Sequence, residues 1–299
     1  MSGAWLEQRE RGSLAAMRLI TWITLTLGRR IGRALLYPIC LYFIVFSPRA
    51  RRASRQYLAR ILGRRPGIAD SFRHFHVFAS TLHDRIAIRS GCTDEIEVSV
   101  HGYATLDALL ARGRGCLLLG SHLGSFEVLR VVGESRRRLA INLVMHEDNA
   151  RKTSRWLRDM APELAQRIIA PGTPATLLRV RECLERGEIV AMLGDRPFSG
   201  ERTVACDFLG AAASFPAGPL LTAALLEAPV VLFFCLHRAA GRYDAYLELL
   251  AERIDIGDGP REAAVAQWVA RYVERLEAHA RAAPYNWFNF YDFWKPRAE

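Results

Sequence analysis

GCLLLGSHLGSFE, residues 115–127, decides how the rest of the chain is read. The run Cys116–Leu119 is apolar at every position and too short for a helix, so it reads as a strand covered on both faces. Gly120 and Ser121 then turn the chain, and a helix is expected from about Gly124 to Arg136. Strand, glycine turn and helix in that order open a βαβ unit, and ligands bind where such strands end.

The same alternation continues on both sides. Strands are expected at Ile96–His101, Ile141–Met145, Ile189–Leu193 and Pro229–His237, and at Tyr243–Leu250, whose alternation reads as a sheet edge. Helices are expected at Tyr103–Arg112, Asn149–Met160, Thr173–Arg186, Phe215–Glu227 and Arg261–Ala282. The fold class that follows is α/β, with a central mixed, mostly parallel sheet flanked by helices. A further helix runs from Asp70 to Gly91 and carries His74, His76 and His83. Only His76 and His83 share a face, which is too few ligands, so no metal is expected. The six cysteines lie at least 23 residues apart without a C-x-x-C pair, and read as reduced, mostly buried thiols of a cytosol-facing protein.

The formal charge of +10 is concentrated upstream. Residues 1–70 hold 13 arginines against Glu7, Glu10 and Asp70, and the remainder of the chain is balanced. Within that head, Leu19–Leu27 and Ala34–Phe46 are apolar, separated by Arg29, Arg30 and Arg33. Both runs are shorter than the roughly 20 residues of a bilayer span, and no small-residue cleavage site follows. The expected arrangement is a pair of apolar helices lying in a membrane surface, with Trp22, Tyr37 and Tyr42 at the interface and arginines on anionic headgroups. A helical subdomain packed on the protein's own core is the plainer alternative. Nucleic acid is not an expected partner, because nucleic-acid arms are polar between their charges. The chain thus divides into a basic, apolar, membrane-associating helical segment, residues 1–70, and an α/β domain, residues 71–299.

At the strand end, His122 and Glu127 have chemistry to offer. Five positions along one helix span about 500°, so the two side chains meet only if His122 lies in the turn before the helix. Gly120 and Gly124 permit that turn, and Ser121 or Ser125 can cap the helix. Glu127 would then hold one imidazole nitrogen and leave the other as general base, with the helix N-terminus supporting an oxyanion or a phosphate. Ser121 lacks the G-x-S-x-G elbow of a nucleophile, so the base would act on a hydroxyl or amine of a second substrate. A capping histidine beside a solvated glutamate fits the same letters.

His122-Leu-Gly-Ser-Phe-Glu127, after an apolar strand and Gly120-Ser121, resembles the His-x4-Asp/Glu motif of the lysophospholipid acyltransferase superfamily. The chain is most similar to the branch of bacterial lipid A biosynthesis acyltransferases, the lauroyl and myristoyl transferases. Val190–Pro197 (VAMLGDRP) resembles that branch's strand-then-Asp block, and Asp207–Pro219 (DFLGAAASFPAGP) its Phe-Leu/Phe-Gly block. Pro284–Trp294 (PYNWFNFYDFW) resembles its Pro-x-x-Trp block, and the N-terminus takes the place of its membrane anchor. The resemblance covers roughly residues 15–296.

That resemblance implies transfer of an acyl group from acyl-acyl carrier protein or acyl-CoA to a lipid or glycolipid acceptor, on the cytoplasmic face of a bacterial inner membrane. No covalent enzyme intermediate and no cofactor are implied. His122 would be the general base and Glu127 its orienting partner, while Asp195, Arg196, Ser121 and Gly124 would line the substrate site. Arg196 would grip an acceptor phosphate or carboxylate through its planar fork, and a basic surface would suit the acidic carrier protein. Two departures bear on the acceptor. Phe215-Pro216-Ala217-Gly218-Pro219 lacks the Glu and Thr of the superfamily's glycerophosphate block, which makes a glycerolipid lysophospholipid acyltransferase the runner-up. The seven rings within residues 284–294 resemble homologues that accompany aryl-polyene pigment synthesis, although rings that close the core look the same. A catalytically silent membrane-surface binding protein of the same fold is the reading from a different class.

Overall fold

Leu117 and Leu119 point to one side of the central sheet, Cys116 and Leu118 to the other, and all four are buried. This two-residue alternation inside an unbroken apolar run is what a strand sandwiched between layers requires. Each buried leucine contributes about 1.5–3 kcal/mol. The structure, a computed structural model, describes residues 14–91, 93–129, 131, 140–145, 167–197, 200–257 and 261–294.

The strands are β1 (Glu97–His101), β2 (Cys116–Gly120), β3 (Ile141–Val144), β4 (Ile168–Ile169), β5 (Ile189–Leu193), β6 (Thr203–Asp207), β7 (Ala212–Pro216), β8 (Val230–Ala239) and β9 (Arg242–Ala251). Seven of them form one sheet in the order β1-β9-β8-β2-β5-β3-β4. Every neighbouring pair in it is parallel except the β8–β9 hairpin, so the sheet is mixed and mostly parallel. The helices are α1 (Leu14–Thr26), α2 (Arg29–Phe46), α3 (Pro48–Leu62), α4 (Ile68–Arg89), α5 (Tyr103–Leu110), α6 (Pro174–Glu185), α7 (Gly218–Leu225) and α8 (Arg261–Ala282). Residues of α3, α6, α7 and α8 pack with Leu117, Leu119, Val230 and Leu232 on one face. Residues of α4 and α5 pack with Cys116, Leu118, Val231 and Phe233 on the other.

Two expectations need correction. Tyr243–Leu250 lies in β9, inside the sheet between β1 and β8. Its alternation reports one covered and one half-covered face, which says nothing about whether its backbone is paired on both sides. The helix expected at Phe215–Glu227 is shorter. Phe215 and Pro216 belong to β7, and the helix starts at Gly218 with Pro219 in its first turn, where a missing N–H is tolerated. The β6–β7 hairpin itself, turned at Leu209 (φ 55°) and Gly210 (φ 74°), was not foreseen. Of the helix expected over 124–136, Val128, Leu129 and Val131 are helical and 132–139 lie outside the described residues, as does 149–160.

The two apolar runs of the head fall in α1 and α2. Leu36, Cys40 and Ile44, spaced four apart along α2, are buried, and α2 packs against α4. On the outward side Trp22, Tyr37, Leu41, Tyr42 and Phe46 are each more than half exposed. Residue 70, the expected boundary, lies in the first turn of α4. Asp84 of α4 is buried and fastens the head to the sheet. Arg29 donates to its Oδ1 at 2.8 Å and Arg33 at 3.1 Å, while Tyr243 and the Gly241 N–H donate to its Oδ2 at 2.9 and 3.2 Å. Among the described residues no single helix is long and apolar enough to cross a membrane. α2 and α3 meet the length and composition test only as a pair bent by 97°.

Candidate active site

β2 and β5 lie side by side and parallel, with Gly120 opposite Leu193. Two residues beyond each of these come His122 and Asp195, so the register alone delivers them to the same end of the sheet. The carboxyl ends of parallel strands are where such folds collect functional groups. His122 Nδ1 and Asp195 Oδ1 are 2.8 Å apart, and the His122 N–H donates to Asp195 Oδ2 at 3.0 Å. The Trp287 indole N–H donates to the same Oδ2 at 3.0 Å.

Asp195 is fully buried. Burial pushes its carboxyl pKa up, but His122 and the Arg196 charge outweigh this and hold it at about 2. An ionised carboxylate only accepts, so Nδ1 carries the imidazole proton and Nε2 keeps its lone pair. The His122 side chain is 33% exposed. Its pKa is lowered, first by burial and then by Arg196, against the opposing pull of Asp195. A neutral, pre-oriented and partly exposed base is the result.

The loop that carries His122 is stapled on both sides. The Ser125 N–H donates to the Cys235 carbonyl at 2.9 Å, the Gly124 N–H to Asn286 O at 2.8 Å, and the Phe288 N–H to His122 O at 3.0 Å. Gly124 has φ +72°, and a Cβ there would lie 1.6 Å from Cys235 O, so only glycine fits. Trp287 is fixed from behind. Its carbonyl accepts from His74 Nε2 at 2.9 Å, and His74 Nδ1 lies 2.8 Å from Ser54 Oγ. Burial lowers the His74 pKa to about 4, so this ring is neutral and structural. His83, 3.0 Å from Thr24 Oγ1, and His76, against the Tyr37 ring, are likewise engaged in packing.

Against the expected site, the geometry redistributes roles. Glu127 does not stand behind the imidazole in this arrangement. Its Oε1 accepts from Arg89 of α4 at 2.6 Å, and Asp195 takes the Nδ1 position because strand register brings it there. Asp195, expected to line the substrate site, has both oxygens engaged by protein donors and no exposed surface. Gly124 is a turn residue pressed on β8, with no space over it for substrate. Ser121 is buried with its Oγ unpartnered. Arg196 donates to the Phe288 carbonyl at 2.6 Å and lies over the Tyr291 ring, and its Nε has no partner. In the turn before the helix, the N–H groups of His122, Gly124 and Ser125 all bond protein acceptors and offer nothing to an oxyanion. Trp287 was missed as a site residue. The signal that pairs His122 with Asp195 was present: both strands end in Leu-Gly just before the functional residue, at 119–120 and 193–194.

The family model described as bacterial lipid A biosynthesis acyltransferase matches residues 13–296. The chain belongs to that family. Its members' acyltransferase activity in lipid A-type biosynthesis sets what this chain does at the level of reaction class, with an acyl donor and a lipid acceptor as its substrates. No curated protein matched the chain in a parallel search. The aromatic block that closes this family member is core structure: Trp287, Phe293 and Trp294 pack around Phe208 with ring centroids 5.1–6.1 Å away. These rings therefore have a packing role.

Proposed function

We propose that this acyltransferase moves a fatty acyl group from a thioester donor, acyl-acyl carrier protein or acyl-CoA, to a hydroxyl of a glycolipid acceptor at the cytoplasmic face of the bacterial inner membrane. The observation that carries this is the His122–Asp195 pair, in which Asp195 holds Nδ1 and leaves the Nε2 lone pair on a partly exposed ring. The acceptor hydroxyl gives its proton to Nε2 as its oxygen attacks the thioester carbonyl. Asp195 stabilises the imidazolium that forms. The tetrahedral intermediate collapses, the carbon–sulfur bond breaks, and the thiolate takes the proton back from Nε2. No side chain is acylated, in keeping with the absence of a nucleophile elbow around Ser121.

The membrane surface is reached through the outward face of α1 and α2, where apolar side chains are exposed next to the arginines of α3. His122→Ala in the full-length protein tests the chemistry. Turnover of acyl-acyl carrier protein with a lipid A-type acceptor should fall at least about 1,000-fold while the melting temperature and vesicle binding hold. Retained turnover, or equal turnover with lysophosphatidate, refutes the assignment. Replacing exposed Leu41 and Val45 together with glutamate should release the folded protein from anionic vesicles, and persistent binding refutes the anchoring face.

A further inference from the structure

α4 presents His74, Phe78, Arg85 and Arg89 along one side, at spacings of four, seven and four residues. Three of the four have their contacts at the active site. His74 bonds the Trp287 carbonyl, Phe78 packs on Phe288 with centroids 5.1 Å apart, and Arg89 bonds Glu127 at 2.6 Å. Phe288 is itself bonded to the His122 carbonyl. Arg85 therefore lies on the α4 face between the residues that contact Phe288 and Glu127, and its charge is felt at His122. It is partly buried, its Nε is sealed from solvent, and no ion pair or hydrogen bond to it exists among the described residues. Glu127, the nearby carboxylate, bonds Arg89. Arg196 enters from the β5 end with its own Nε unpartnered.

A partly buried cation is costly unless an anion meets it, and the carboxylate that acts on Arg85, Glu127, is already hydrogen-bonded to Arg89. We infer that Arg85, with Arg196 opposite, binds a phosphate ester of a substrate and so determines specificity beside His122. Guanidinium groups suit this ligand because their planar donors match two phosphate oxygens at once. The N–H groups of His122, Gly124 and Ser125 already bond protein acceptors, which leaves the two guanidinium groups as the charged donors beside the base. Arg85 also lowers the His122 pKa, after burial and Arg196, and an anion bound between them would relieve that effect. The inference rests on the acyltransferase assignment for the identity of the substrate.

The test compares wild type, Arg85→Gln, Arg85→Lys and the surface control Arg181→Gln, each checked for folding by its melting temperature. Binding of inorganic pyrophosphate, followed through the His122 ring resonances, is expected to raise the His122 pKa in wild type and the control. It should weaken at least about 10-fold in Arg85→Gln and less in Arg85→Lys. In turnover, removing the phosphate from a glycolipid acceptor should lower wild-type kcat/KM by about 10- to 100-fold, mainly through KM, and leave Arg85→Gln unaffected. If loss follows instead when acyl-phosphopantetheine is replaced by acyl-pantetheine, the phosphate is the donor's. Unchanged pyrophosphate binding in Arg85→Gln, or an equal loss on phosphorylated and phosphate-free substrates, overturns the inference. If no thioester is turned over by wild type, the acyltransferase assignment fails and the pyrophosphate arm alone decides.

Discussion

Asp195→Asn is the substitution that separates the roles most sharply, because its size is unchanged and only its hydrogen-bond polarity differs. Oδ2 accepts two N–H groups, from His122 and Trp287, and Oδ1 accepts the Nδ1 proton. The amide oxygen of asparagine can keep the first two, which places its NH2 group toward Nδ1. A donor there forces the proton to Nε2, the nitrogen that must accept from the acceptor hydroxyl. The fold survives while the base is lost, and kcat should fall about 10³- to 10⁴-fold, the scale at which wrong-tautomer variants of serine proteases fail. The carboxylate also carries stability. Its pKa of about 2 lies below the usual 3.8, so its contribution is present above about pH 4 and lost as pH falls toward 2. That difference corresponds to about 2 kcal/mol. Asp195→Asn should therefore unfold a few degrees earlier at neutral pH and show a flatter stability profile below pH 4. The assays are steady-state turnover, nitrogen-15 shifts of the His122 ring, and urea midpoints against pH. Activity above about a tenth of wild type, or an equal loss in Glu127→Gln, would refute the assignment of Asp195 as the partner.

Three further outcomes follow from the same site. Because burial and Arg196 lower the His122 pKa below its usual value, kcat/KM should stay full through neutral pH and fall about tenfold per unit only below the ordinary histidine range; a half-maximum above pH 7 contradicts this. Gly124→Ala must accommodate both φ +72° and an overlap with Cys235 O, so a loss above about 2 kcal/mol in urea denaturation is expected, with turnover reduced in the folded fraction; a neutral change sinks the stapled-loop account. Trp287→Phe keeps the ring among Phe208 and Phe293 but removes one donor from Asp195, and should lower kcat roughly 10-fold with KM little changed.

The strands that surround the site were legible because they are apolar throughout and end at glycines, as Cys116–Gly120 and Ile189–Leu193 show. His122 was legible for the same reason, being the first titratable residue past such an end. Its partner was not. A spacing of five residues suggested Glu127, whereas strand adjacency, which joins residues 73 apart, selects Asp195. The β6–β7 hairpin was hidden because Ala212-Ala213-Ser214 carries little strand character of its own and is extended by pairing. Nothing in the sequence sets Arg85 apart from other charges on a helix, and only the placement of α4 against Phe288 and Glu127 singles it out.

The four-way junction at Asp84 has a mechanical corollary. Its bonds run from α2, through α4, to the β8–β9 turn, so the greasy hairpin is bolted to the catalytic sheet instead of trailing on a leash. Any lipid surface that holds Trp22, Tyr42 and Phe46 must then also fix the tilt and height at which His122 rides above it. A substrate whose chains stay in the bilayer would have to present its reactive hydroxyl at that height, which makes the enzyme a ruler as well as a catalyst.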